Sequence, residues 1–185
     1  SSGEVQTTRT VAERLRIAGL TPTVLARGTG LVCDVVGESP LPLVALRADI
    51  DALAMDDHTT TDYRSQVPGV AHACGHDAHT AIVLGAGIVL ARLLPTSGIP
   101  GSVRLVFEPA EETVPGGAVD VIAEGWFTDV SSVYGLHCDP KLDSGYVGLR
   151  AGAITSATDK VTLELHGPGG HTARPHLTVD LVAEA

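Results

Sequence analysis

Residues 71–79 read "AHACGHDAH", which places three of the chain's eight histidines, a cysteine and an aspartate within nine positions. Thiolate, imidazole and carboxylate are the side chains that bind a borderline-soft divalent metal. A Cys-x-His pair alone is also compatible with a polar loop, so other segments must decide. Three supply candidates. Asp49 and Asp51 stand in "LRADIDALAM", Glu108, Glu111 and Glu112 in "FEPAEE", and His137 in "YGLH". Each has an ordinary alternative: a turn cap for the aspartates, a solvated surface for the glutamates, a hydrogen-bonded core histidine for His137. Cys74 could also serve as a nucleophile with His76 or His79 as its base, but that chemistry leaves Glu111, Glu112 and His137 without a role.

The elements around these residues place them together. The stretch 41–50 is apolar up to Arg47, as a strand buried on both faces would be. Strands are also expected at 31–36, 101–107 and 131–137, and helices at 7–18, 76–94 and 117–125. This alternation predicts an α/β fold, a mostly parallel sheet flanked by helices. In such sheets ligands bind beyond the carboxyl ends of the strands. Asp49 and Asp51 end one strand, the glutamates follow a second, His137 closes a third, and Cys74 and His76 open the long helix. Four segments then converge on one sheet edge. From about residue 155 the pattern changes: "KVTLELHG" (160–167) alternates like a half-exposed strand, and a helix is expected to start near Thr178.

Composition narrows the classes. A formal charge of −10 argues against nucleic acid and anionic membrane surfaces as partners. The apolar run 81–94 carries Arg92 and reads as too short for a bilayer span. Aromatic residues make up only 3% of the chain, so the core must be aliphatic. Three cysteines, Cys33, Cys74 and Cys138, suit thiols used for packing or metal in a reducing compartment. With no export signal read, a cytoplasmic location is the expectation.

The motifs "LRADIDALAM", "HACGHDAH", "FEPAEE", "YGLH" and "GPGGHTARPH", in this order, resemble the metal-dependent amidohydrolases that include hippurate hydrolase, N-acyl-amino-acid amidohydrolases and plant auxin-conjugate hydrolases. These form a branch of the aminoacylase and carboxypeptidase G group of exopeptidases. The resemblance runs from about residue 10 to residue 185. It implies a catalytic domain over 1–154, here in its N-terminal part, and the start of an α+β lid and dimerisation domain over 155–185. It implies that Cys74, His76, Glu112 and His137 bind two divalent ions, zinc or manganese first, with cobalt or nickel allowed. Glu111 then matches the general base, Asp51 an acidic residue that orients a ligand, and His171 a substrate-binding histidine. The implied reaction is hydrolysis of a small amide, an N-acyl amino acid or related conjugate, by a homodimer joined through the lid. Dipeptidase or carboxypeptidase action on the same scaffold, or an inactive truncated metal-binding chain, are the alternatives. A further ligand histidine of the family would lie beyond residue 185. Ala54 stands where the family often has proline, Cys138 where a bulkier residue is usual, and "TVPGG" where a glycine run is common; none of these removes a proposed ligand.

Overall fold

The β-prone stretch "LVCDVV" forms a strand that buries Leu31, Cys33 and Val35 on one face and Val32 on the other. The same alternation continues across its neighbours and builds a two-sided sheet. The structure is a computed structural model and describes residues 3–155 and 159–183. It divides into two compact units, Ser1–Tyr146 and Val147–Ala185.

In the first unit the elements run α1 (Val5–Ile17), β1 (Thr23–Val24), β2 (Leu31–Val36), β3 (Leu43–Asp49), α2 (His76–Leu93), β4 (Ser102–Glu108), α3 (Ala118–Ala123) and β5 (Val130–Gly135). The five strands form one sheet in the order β1-β2-β4-β3-β5. The α/β class is the one expected. The sheet is mixed rather than mostly parallel: β3 pairs parallel with β4 and β5, while β2 pairs antiparallel with β4 and with β1. The reason lies in the link 37–42. A parallel return needs a crossover of a dozen or more residues, and this short link can only reverse the chain. The two-residue β1 was not expected from the sequence.

On one face, Val11, Ala12 and Leu15 of α1 and Val83 of α2 pack against Leu31, Cys33, Ala48, Leu105 and Phe107 of the sheet. On the other, Val121 of α3 packs against Val32, Ala45 and Val106. Helix α2 lies close to β4. A Cβ at Gly87 would sit 2.3 Å from Leu105 Cδ1, so glycine is what lets the helix approach. The stretch His76–Thr96 is long and apolar enough to cross a membrane, longer than the run read from sequence; in this fold it packs on β2, β3, β4 and α1.

In the second unit, the described residues contain one 3₁₀ turn, Pro175–Leu177, and no strand. The strand expected at 160–167 is not formed. Val161, Leu163 and Leu165 are exposed, and no partner strand is present among the described residues to complete their hydrogen bonds. The helix expected from Thr178 is likewise not seen up to residue 183, and residues 184–185 lie outside the described residues. The Asp180 carboxylate instead accepts from the N–H groups of Val182 and Ala183, at 3.1 and 3.2 Å, as an N-cap does.

Candidate metal centre

The register of the sheet sets the site. Asp49, the last residue of β3, lies opposite Glu108, the last of β4, and Gly135 of β5 lies opposite Arg47. The segments that follow all three strands therefore leave from one edge. Helix α2 begins at that edge with His76. Gly75 precedes it with φ of +81°, a left-handed turn that glycine adopts freely, and it stands close against Cys138. Ala110 follows β4 with φ of 53°, a conformation costly for alanine, and turns the chain so that Glu111 and Glu112 come next to the helix start.

Two overlapping groups of donors result. Cys74, His76 and His137 each offer an atom within 4.8 Å of the others, and so do His76, Glu111 and Glu112. Cys74 Sγ is 3.4 Å from His137 Nε2, and His76 Nε2 is 3.8 Å from Glu112 Oε1. In both histidines the other nitrogen is already engaged. His76 Nδ1 lies 3.0 Å from the Asp51 carbonyl and 3.1 Å from its Oδ1; His137 Nδ1 lies 2.9 Å from the Cys138 carbonyl. Oxygen acceptors at Nδ1 favour the Nδ1–H tautomer and leave each Nε2 lone pair facing the site, the usual arrangement of ligating imidazoles. Asp51 is buried and ties two carriers together: one oxygen meets His76, and the other accepts the Glu112 backbone N–H at 3.1 Å.

The electrostatics fit a cation. Burial, then the hydrogen bond and charge of Glu112, push the Cys74 thiol up to about 11. A thiol so placed is protonated at neutral pH, and a positive ion is what would make it a thiolate. Burial and the neighbouring Glu112 also raise the Glu111 carboxyl, which suits a group that must accept a proton and give it back. A thiol, two imidazoles whose Nε2 atoms face the site and two carboxylates fit a zinc-like divalent ion better than magnesium.

The structure thus brings together Cys74, His76, Glu111, Glu112, His137 and Asp51. His137 lies two residues past the end of β5 rather than within it. His171 belongs to the second unit, where it is exposed and its Nδ1 accepts from the Ala173 N–H at 3.1 Å. A third group, Asp49, His76 and His79, is also close enough to hold an ion and is fully buried. Its donors are already engaged: Asp49 binds His79 Nδ1 at 2.6 Å with one oxygen and Arg47 at 2.6 Å with the other. His79 Nε2 accepts the Cys138 backbone N–H at 2.8 Å. Burial alone would raise the Asp49 carboxyl, but the His79 hydrogen bond and the Arg47 charge outweigh it and hold it below its usual range. Arg47 also meets Glu108 at 2.7 Å. Sequence reading gave His79 no part in the metal site, although its spacing of three from His76 places both on one helix face.

Comparison with known proteins bears on the family and the fold. The pattern described as Peptidase family M20/M25/M40 matches residues 45–185. A Rhodococcus jostii protein named as a glutamate–cysteine ligase is 52% identical over 97% of this chain, a match that takes in 22% of that protein. The N-acetyl-L-cysteine deacetylase of Bacillus subtilis is 40% identical over the whole chain and 44% of its own length. The crystal structure of a dinuclear metal-binding peptidase from Bacillus subtilis superposes with a TM-score of 0.74 at 35% identity, covering 80% of this chain and 41% of that one. The chain thus spans less than half the length of each of these relatives.

Proposed function

The chain belongs to peptidase family M20/M25/M40, and from that premise we propose that the protein hydrolyses the amide bond of N-acyl amino acids or related conjugates at a pair of divalent metal ions. The observation that carries this reading is the meeting of Cys74, His76 and His137 with Glu111 and Glu112 at one sheet edge. The name of the deacetylase relative supports an N-acyl amino acid as substrate. Cys74, His76, Glu112 and His137 would hold the ions. When bound, such ions supply Lewis acidity that lowers the pKa of water from about 15.7 towards about 7.

The chain's own residues do the rest. Asp51 fixes the His76 ring and the Glu112 backbone, so the donor set is preorganised. Glu111, with its raised pKa, takes a proton from the attacking water and delivers it to the amide nitrogen. The water oxygen bonds to the acyl carbon as the C–N bond breaks, leaving a carboxylic acid and a free amine. His171 belongs to this reading as the group that meets the substrate carbonyl, and the second unit as the dimer contact. The name of the peptidase relative favours a second reading in which the scissile amide is a peptide bond.

The test is turnover of N-acetyl amino acids and of short peptides before and after chelation. Activity on the N-acyl substrates should vanish on chelation and return with zinc or manganese. Activity that survives chelation and disappears on thiol alkylation would favour Cys74 as a nucleophile and overturn the proposal.

A further inference from the structure

His79 is fully buried between the two histidines of the candidate centre. Its ring centroid lies 5.5 Å from that of His76 and 4.8 Å from that of His137. Both its nitrogens are engaged. A backbone N–H can only donate, so the Cys138 N–H fixes Nε2 as an acceptor, and the proton of the neutral ring must sit on Nδ1, facing Asp49. The Cys138 carbonyl in turn accepts from His137 Nδ1. The backbone of Cys138 is therefore held at its N–H by one histidine and aims another through its carbonyl.

We propose that His79, anchored by Asp49, is a positioning residue that holds the Cys138 backbone and so aims His137 Nε2 at Cys74. The relay runs from β3 through the first turn of α2 to the segment after β5. Its far end is braced by Arg47, which joins Asp49 to Glu108 across β3 and β4. The Cys138 N–H thereby anchors to the buried His79 a segment, residues 137–140, that is itself exposed. The ring also packs beside those of both His76 and His137. His79 has no nitrogen left for an ion, which distinguishes it from the ligands beside it. The inference rests on the metal-hydrolase reading for its purpose, but its readout is metal affinity rather than turnover.

The experiment compares cobalt and zinc binding in the wild-type protein, His79→Leu and His79→Gln, alongside their melting without metal. Leucine approximates the volume and removes both hydrogen bonds; glutamine keeps one donor and one acceptor. Loss of such an outer partner typically costs 10–100-fold in metal affinity. His79→Leu should therefore weaken one site about 10–100-fold and diminish the cobalt–thiolate absorption, while His79→Gln should stay within about fivefold of wild type. Equal binding by all three proteins, or equal loss in both variants, would overturn the proposal. Should His79→Leu not fold, the nitrogen resonances of the wild-type histidines decide. His79 should remain the neutral Nδ1–H form through a metal titration while Nε2 of His76 and His137 shifts; a metal-induced shift at His79 Nε2 would make it a ligand and refute the positioning role. Two bound metals without hydrolysis of any N-acyl amino acid would count against the proposed function and leave this result standing.

Discussion

In the first unit, β3 is paired on both edges and four of its seven residues are buried; in the second, residues 160–167 carry an apolar alternation and stay exposed. Ala45, Leu105 and Val106 have essentially no exposure, whereas Val161 is 87% exposed and Leu163 67%. β3 is apolar almost throughout to Arg47, whereas 160–167 places Val161, Leu163 and Leu165 at every second position. The difference is what lies alongside. β3 pairs with β4 along its whole length and with β5 over Leu43–Arg47, and its side chains meet helices on both faces. Among the described residues, nothing pairs with 160–167. An amphipathic pattern states which face a strand would bury, not that a partner is there to bury it against.

Substitutions in the two units test that contrast, and those in the core should cost most. Phe107→Ala, at a fully buried residue of β4, should destabilise the protein by about 3–5 kcal/mol. Denaturant unfolding measures it, and a loss below about 1 kcal/mol would mean that the sheet is not the stabilising core. Gly87→Ala should cost about 1–3 kcal/mol by pushing α2 off Leu105, although alanine is ordinarily the better helix former. If thermal melting showed Gly87→Ala to be stabilising, the close approach of helix and strand would be wrong. Leu163→Ala should change stability by no more than about 0.5 kcal/mol, as exposed positions do. A loss of 2 kcal/mol there would show that the second unit buries this residue against a partner.

The same physics explains what the sequence disclosed. The strands at 31–36 and 43–49 and the helix from His76 were legible because their apolar periodicity and glycine boundaries are local. The convergence of Cys74, His76, Glu112 and His137 was legible because chemistry-bearing residues follow successive strand ends, and a parallel pairing carries those ends to one edge. The antiparallel entry of β2 was harder to read, since it depends on the length of a link rather than on any residue in it. His79 was missed because its meaning comes from partners 30 and 59 residues away, Asp49 and the Cys138 backbone. A histidine in a buried helix gives no local sign of which strand end it touches. In the second unit the pattern was read correctly as alternating, but alternation needs a neighbour before it becomes a strand.

In the proposed mechanism two adjacent glutamates do different work, Glu112 holding metal and Glu111 moving a proton. Metal content and turnover of Glu111→Gln and Glu112→Gln, measured side by side on the same N-acyl amino acid, test it most directly. Glu111→Gln should keep its metal and lose about 10²–10⁴-fold in turnover, while Glu112→Gln should lose metal affinity first. Glu111→Gln retaining near-normal turnover, or shedding metal as readily as Glu112→Gln, would contradict it.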